Sequence, residues 1–276
     1  MTGAGEAAWD APEPPARTRQ VGPAAPPARG PGPKLRPAPP RWLSDLGAAA
    51  ARMEVPPILR PPADGGRPSA VLVLFADGAD GADGADGAGE TGEPGTASDP
   101  DLLFIQRSQG LRQHPGQPAF PGGAIEDSDA GPADAALREA AEEAGVDPGS
   151  VDVLCTLPEL FIAHSGFRVV PVLAWWHSPG PVSAVDPREV AAVERIRLAE
   201  LADPACRITV RHPSGRTGPG FRVKGLLIWG FTAALVDRLL ALSGREIPWN
   251  SAEVHELRDG NGPAELSPGT QDRPIP

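Results

Sequence analysis

The chain has 276 residues and a formal net charge of -11, enough length for one sizeable domain with appendages. This acidic balance argues against a protein that coats nucleic acid, so no nucleic-acid partner is expected. Its longest apolar run, 226–236, is too short to cross a bilayer, which excludes a membrane partner as well. Two distant cysteines, Cys155 and Cys206, indicate neither a disulfide framework nor a zinc site, so we expect a cytoplasmic protein. Abundant Ala, Gly, Pro and Arg favour a GC-rich bacterial source.

The first part of the chain is rich in proline. Fifteen of the 36 prolines fall in residues 1–62. Residues 1–40 contain little apolar material to bury and are predicted to be a disordered arm, with an SH3-type ligand as the alternative. Residues 41–66 are predicted to be a short amphipathic helix and a linker that docks on the next domain. The apolar positions at helical spacing are Trp42, Leu43, Leu46, Ala50 and Met53.

Residues 67–245 are predicted to form a single domain. Apolar runs at 69–75 and 102–107 are expected to pair as strands, with the low-complexity stretch 77–99 as a flexible hairpin insertion. Further strands are predicted at 151–157 and 168–176, a hairpin at 208–211 and 221–223, and a helix from Leu226 to Gly244. The polar, Pro-containing segment 246–276 predicts a flexible C-terminal tail. Mixed elements without βαβ repeats favour a compact α/β sandwich of the α+β type.

A helix is predicted over 133–144, because Pro132 suits its first turn and Gly145 suits its end. Glu139, Glu142 and Glu143 lie three or four residues apart and share one face of that helix. Three clustered carboxylates repel one another unless a cation or an arginine offsets them, and hard oxygen ligands suit Mg²⁺ or Mn²⁺. Taken alone, the string is much more typical of a solvated face on which Arg138 pairs with Glu142.

The surrounding sequence changes that interpretation. The segment from Gly122 to Val146 resembles the Nudix box, G-x5-E-x7-R-E-U-x-E-E-x-G-U, in which U is bulky and aliphatic. Two departures stand out. Asp129 occupies the position of the first glutamate, one residue further from Arg138 than usual, and Ala140 replaces a bulky residue.

Coenzyme A pyrophosphatases of the Nudix superfamily share these departures. Their upstream motif is close to L-L-T-x-R-S-x-x-L-R-x-H-x-G-[EQ]-x-x-F-P-G-G. The corresponding residues here are Leu102-Leu-Phe-Ile-Gln-Arg-Ser108, Leu111-Arg112, His114, Gly116-Gln117 and Phe120-Pro-Gly-Gly123, and Glu126 replaces the family's next Asp. The resemblance implies a Nudix-type α/β/α sandwich with a mixed β-sheet. It also implies metal-dependent hydrolysis of coenzyme A or acyl-CoA to 3′,5′-ADP and 4′-phosphopantetheine or its acylated form.

The resemblance also implies roles for the helix residues. Glu139, Glu142 and Glu143 would bind Mg²⁺ or Mn²⁺, with the Gly123 carbonyl as a further ligand. Arg138 would orient the glutamates rather than touch substrate. The general base would be a glutamate of the box, Glu142 or Glu143, or alternatively Glu189 in a later loop. Glu189 is equally typical of the start of a surface helix.

Three residues of the upstream motif are candidates for substrate binding. Arg107 and Arg112 suit substrate phosphates, including the 3′-phosphate of coenzyme A, or would order the acidic loop. His114 is either a substrate-binding or a structural histidine. The alternative functions are hydrolysis of another diphosphate, such as ADP-ribose or a nucleoside triphosphate, and a catalytically inactive nucleotide-binding regulator. The presence of all three helix glutamates speaks against the inactive regulator.

Overall fold

A computed structural model describes residues 36–78, 99–111, 114–163 and 165–258, together with a strand at 265–268. Most of the predicted arm (1–35), most of the predicted insertion (79–98) and Arg112 lie outside the described residues. Residues 36–40 form neither helix nor strand. The described residues from Pro37 onward belong to one compact unit.

The helices begin and end at local signals in the sequence. They are α1 (Arg41–Ala50), α2 (Pro132–Ala144), α3 (Leu198–Ala202) and α4 (Gly230–Leu242), with short 3-10 helices at Pro57–Leu59 and Pro148–Ser150. As predicted, α2 starts at a proline and ends at Gly145, whose φ of 71° is left-handed. The predicted start of α4 at Leu226 is wrong, because residues 226–228 pair as a strand instead. None of the helices in the described ranges is long and apolar enough to cross a membrane.

The central sheet is mixed. Its strands are β1 (Arg67–Ala76), β2 (Asp101–Arg107), β3 (Pro118–Ala119), β4 (Gly122–Ala124), β5 (Val151–Thr156), β6 (Leu160–Ile162), β7 (Phe167–Trp176) and β8 (Val190–Arg197). β1 runs parallel to β7 and antiparallel to β4 at its start. The predicted pairing of β1 with β2 is confined to Phe75–Leu102 and Ala76–Asp101, because β2 pairs mainly with β8.

The two faces of this sheet are covered by different helices. Side chains alternate along β1, so Ala70, Leu72 and Leu74 share one core cluster with the alanines of α2. Val73 and Phe75 belong to a second cluster with the leucines of α1 and α4. The predicted α/β/α sandwich with a mixed sheet is confirmed.

A second sheet contains the C-terminal residues. Its strands are β9 (Arg207–Arg211), β10 (Thr217–Val223), β11 (Leu226–Ile228), β12 (Val254–Arg258) and β13 (Glu265–Pro268). β9 and β10 form the predicted hairpin. The prediction of a flexible tail over 246–276 is wrong at β12 and β13, because β12 adds parallel to β9 and buries Leu257 against Ile208 and Val210. The local composition of residues 246–276 does not indicate this pairing, because β9 lies more than forty residues before β12 in the sequence.

Candidate active site

Two glycines allow close approaches at β4, Gly122 to the main chain of β1 and Gly123 to Glu139 of α2. A Cβ atom at Gly122 would lie 2.7 Å from Val71 Cα, and one at Gly123 would lie 2.6 Å from Glu139 Cδ. A side chain at Gly122 would force β4 away from β1, and one at Gly123 would displace the carboxylate of Glu139. The Gly122 amide donates a hydrogen bond of 2.9 Å to Glu143 Oε2. The glycine pair therefore sets the position of two of the predicted metal ligands.

Arg138 ties the preceding loop to the helix. Its guanidinium donates to both carboxylate oxygens of Asp129, each at 3.0 Å, and to the Ala124 carbonyl at 3.0 Å. Its Nη1 also donates to Glu139 Oε1 and Glu142 Oε2, both at 3.1 Å. The hydrogen bonds from Arg138 to Asp129 hold the pKa of Asp129 below its ordinary range. Arg138 contacts two of the predicted metal ligands, and this geometry suits the orienting role that the sequence predicts for it.

Glu143 is the most buried of the three helix glutamates, with 8% of the residue exposed. Its pKa is raised from 4.5 to about 7, mainly by burial. The charges of Glu139 and Glu189 contribute to this rise, and the Gly122 amide and Arg107 oppose it. Burial also raises the pKa of Glu139, against the effect of Arg138. Glu142 is different, because 60% of its side chain is exposed. The site therefore contains more buried negative charge than the surrounding donors offset.

Glu189 and Arg107 lie beside this cluster. The Glu189 carbonyl accepts a hydrogen bond of 2.8 Å from the Ser108 amide, which places the turn before β8 against the end of β2. The charges of Arg107 and Glu189 both act on Glu143, with opposite signs. The alternative that Glu189 starts a surface helix is wrong, because it lies in a turn that leads directly into β8. Glu189 is exposed, whereas the Nε of Arg107 is buried.

His114 lies in the turn that leads from β2 to β3. Its φ is 55°, and its Nδ1 lies 2.9 Å from Gln117 Oε1. Arg107 closes the turn through its main chain, which accepts from Gly116 and donates to Gln117, both at 3.0 Å. Among the described residues of the upstream motif, Arg107 therefore closes a turn in which His114 lies.

The carboxylates suit a divalent cation chemically but do not yet form a complete ligand set. Among the described residues, no three His, Cys, Asp or Glu side chains have the geometry of a metal site. Arg138 holds one oxygen of Glu139 and one of Glu142. The poorly compensated charge of Glu139 and Glu143 fits a hard cation held by carboxylate oxygens.

Asp129 is the site residue whose contacts were not predicted. Its side chain is 5% exposed and forms a two-pronged pair with Arg138. It also accepts the Glu126 amide at 2.8 Å, which closes the loop on itself. The signal in the sequence was its match to the first acidic position of the box, which by itself says nothing about its partner.

Comparisons with known proteins agree with this site. Residues 95–212 match the family model described as the NUDIX domain. The chain is 41% identical over 157 residues to a protein of Cronobacter sakazakii named "Uncharacterized Nudix hydrolase NudL", covering 54% of this chain and 78% of that relative. The NudL of Escherichia coli K12 is 39% identical over 147 residues, covering 51% of this chain and 73% of that relative. A crystal structure of the Nudix hydrolase RenU from M. smegmatis has 20% identity and a TM-score of 0.42, covering 68% of this chain and 91% of that chain.

The α/β/α sandwich and the acidic helix folded against a glycine loop define a hydrolase that acts on diphosphates. The chain belongs to the Nudix hydrolase family. Enzymes of this family generally use divalent metal ions.

Proposed function

We propose that this enzyme hydrolyses the diphosphate bond of coenzyme A or an acyl-CoA, giving 3′,5′-ADP and 4′-phosphopantetheine or its acylated form. The observation that carries the proposal is the joining of the upstream motif to the box. The Ser108 amide, directly after Arg107 in the coenzyme A pyrophosphatase motif, donates a hydrogen bond to the Glu189 carbonyl. The charges of Arg107 and Glu189 both act on Glu143. Residues that distinguish the subfamily therefore lie beside the carboxylates common to the superfamily.

Glu139, Glu142 and Glu143 would hold Mg²⁺ or Mn²⁺, with the Gly123 carbonyl as a further ligand. A divalent cation bound there neutralises the diphosphate and makes a water molecule more nucleophilic. Gly122 and Arg138 keep the carboxylates in place through the hydrogen bonds at 2.9 and 3.1 Å. Arg138 is a positioning residue in this scheme, since its donors are already engaged by the protein.

The reaction adds one water molecule across the P–O–P bridge. The water oxygen bonds to one phosphorus, the bridging bond breaks, and the bridging oxygen leaves with the other phosphate. Glu189 is exposed, and its charge acts on Glu143, so we assign it the proton released by the attacking water. Arg107 would donate to substrate phosphate, and His114, in the turn that Arg107 closes, would border that contact.

The test compares substrates and a matched pair of variants. Purified protein is incubated with coenzyme A, ADP-ribose and a nucleotide panel in Mg²⁺ or Mn²⁺, and the products are separated. We expect release of 3′,5′-ADP from coenzyme A. Glu142→Gln should lower turnover about a thousandfold, the scale of losing a group that stabilises transition-state charge. The exposed Asp64→Asn makes the same change of charge elsewhere and should leave turnover unchanged.

Two results would contradict the proposal. Hydrolysis of ADP-ribose without hydrolysis of coenzyme A would exclude the coenzyme A substrate. Full activity of Glu142→Gln with a normal thermal transition would exclude the metal assignment. Glu189→Gln separates the base from the ligands, because it should lower kcat while leaving the affinity for Mn²⁺ unchanged.

A further inference from the structure

The connection between β7 and β8 is attached to the end of α2. The Val185 amide donates a hydrogen bond of 3.3 Å to the main-chain carbonyl of Glu143. The Ser183 amide donates one of 3.2 Å to the Ala144 carbonyl. The last carbonyls of a helix have no partner within the helix, so these two bonds also satisfy the end of α2. The connection is therefore fixed beside a proposed metal ligand a few residues before it reaches Glu189.

One residue organises the rest of this connection. Asp186 accepts the Arg188 amide on its Oδ1 at 2.9 Å. Its main-chain carbonyl accepts the amides of Glu189 at 3.0 Å and Val190 at 2.9 Å. Pro187 has no amide hydrogen, so Asp186 accepts every amide hydrogen that follows it up to the first residue of β8. This turn determines the course of the main chain through Glu189.

An ion pair accompanies the turn. The Arg188 guanidinium donates to the two carboxylate oxygens of Asp186 at 3.0 and 2.6 Å. The hydrogen bonds from the side chain and the amide of Arg188 lower the pKa of Asp186 to about 2, so this carboxylate is charged at neutral pH. The Arg188 side chain is 88% exposed, and an ion pair in water contributes little. The amide hydrogen bonds, more than the ion pair, therefore fix the turn.

Glu189 depends on this turn for its position. The residue is exposed, so packing does not fix its side chain. Its amide is held by the Asp186 carbonyl, and its own carbonyl is held by the Ser108 amide at 2.8 Å. Hydrogen bonds on both sides of the Cα atom therefore set the direction of the side chain, whose charge acts on Glu143.

We infer that Asp186 is a positioning residue for Glu189, an inference that rests on the proposed function. By holding the main chain of Glu189, Asp186 directs the Glu189 carboxylate toward the water that attacks the diphosphate. Asp186 itself touches neither substrate nor metal in this scheme. Displacing a positioned group by about 1 Å lowers the rate on the order of a hundredfold. Loss of the turn should therefore lower kcat and leave metal binding unchanged.

Two substitutions at Asp186 in the full chain test this role. Asp186→Ala removes the acceptor of the Arg188 amide, and kcat for coenzyme A should fall at least about tenfold. KM and the affinity for Mn²⁺, measured by calorimetric titration, should not change, because the affected group acts on the attacking water. Asp186→Asn keeps an oxygen that accepts the amide in the same kind of turn and should retain kcat within about threefold.

Asp203 provides a matched control, because it forms the same kind of turn elsewhere in the chain. Its Oδ1 accepts the Ala205 amide at 2.8 Å, and its carbonyl accepts the Cys206 amide at 3.0 Å. This turn follows α3 and leads into β9 of the second sheet. Asp203→Ala should lower the melting temperature about as much as Asp186→Ala and leave kcat unchanged. The comparison separates positioning from a general loss of stability.

A double variant shows whether Asp186 acts through Glu189. Glu189→Gln removes the proposed base. If Asp186 serves only to position that base, Asp186→Ala should have no further effect on kcat when it is combined with Glu189→Gln.

The outcomes that overturn the inference are distinct. Wild-type kcat in Asp186→Ala overturns it, and so does an equal loss of kcat in Asp203→Ala or Asp186→Asn. A further loss in the double variant, or a weaker affinity of Asp186→Ala for Mn²⁺, would show that Asp186 acts through other groups.

Failure of the proposed function has different signs. If Glu189→Gln retains wild-type kcat, the assignment of the base fails and the positioning role fails with it. If ADP-ribose is hydrolysed in place of coenzyme A, only the substrate assignment fails, and the same variants decide the role of Asp186 on ADP-ribose. If no diphosphate is hydrolysed, both proposals fail.

Discussion

The two faces of the central sheet are packed in different ways. On the α2 face, alanines with no exposed surface, among them Ala136 and Ala140, let the helix approach the strands closely. On the face of α1 and α4, bulky side chains such as Phe75 and Trp175 fill the space. The small residues place charged glutamates against main-chain atoms of β4, and the large residues bury apolar area. One face therefore positions the proposed catalytic groups, and the other contributes most of the hydrophobic stability.

Truncating a large side chain should be most costly on the α1 and α4 face. Phe75 is 1% exposed and meets Trp42 of α1 edge-on, with ring centroids 5.6 Å apart. Phe75→Ala should lower the free energy of unfolding by about 3–5 kcal/mol, because it leaves a cavity beneath α1. Urea denaturation measures this loss. Phe75→Leu is the control and should cost much less, because it keeps most of the apolar volume. A loss from Phe75→Ala no larger than that from Phe75→Leu would contradict the cavity explanation.

The free energy of unfolding should depend on pH because Glu143 is buried on the α2 face. Glu143 binds its proton more tightly in the folded protein, with a pKa of about 7, than in the unfolded chain, near 4.5. In a chelator, the free energy of unfolding should therefore fall as pH rises from 4.5 to 7, by about 3 kcal/mol at most. Below this window the proton is bound in both states and the contribution is fully present.

Glu143→Gln is the control for this pH dependence. The glutamine cannot ionise, so denaturation curves of the variant between pH 5 and 8 should lack the decrease. Identical pH profiles for the variant and the wild type would show that Glu143 is not the group responsible.

The close approach at Gly123 should matter for activity more than for stability. A methyl group there meets the carboxylate of Glu139, which is the flexible end of a side chain and can move aside. Gly123→Ala should lower kcat on the order of a hundredfold, because a displacement of about 1 Å has that effect on a positioned group. Gly180→Ala, where a Cβ atom meets nothing within 4 Å, should be neutral. Unchanged kcat in Gly123→Ala would refute the positional role of the glycine.

The smallest effect is expected from placing a larger side chain on the face of α2 that packs against the sheet. Ala140 is fully buried against the sheet, and Ala140→Leu should lower the free energy of unfolding by about 1–3 kcal/mol through overpacking. Ala141→Leu places the same side chain at a half-buried position of the helix and should be nearly neutral. If the two variants are equally stable, the distinction between the two faces fails.

Local signals in the sequence predicted α2 well, because Pro132, Gly145 and the residues between them specify a helix without tertiary contacts. The sequence patterns also identified the residues of the candidate site. They did not reveal that Glu143 is buried on the Gly122 amide, or that Asp129 holds Arg138, because both depend on how the loop folds back. The addition of β12 to β9 was missed for a similar reason, since parallel pairing between distant segments leaves no local pattern.

The loop before α2 has a consequence for how this sequence can vary. Compared with the usual Nudix box, this chain has one more residue between Asp129 and Arg138. The stretch between them is held by hydrogen bonds at both ends. Asp129 bonds to Arg138, and the Ala130 amide donates to Asp134 at 3.1 Å. An insertion between two such anchor points bulges outward and leaves the anchors where they are. Evolution can lengthen the loop here without disturbing the helix, and a motif search with fixed spacing will overlook such relatives.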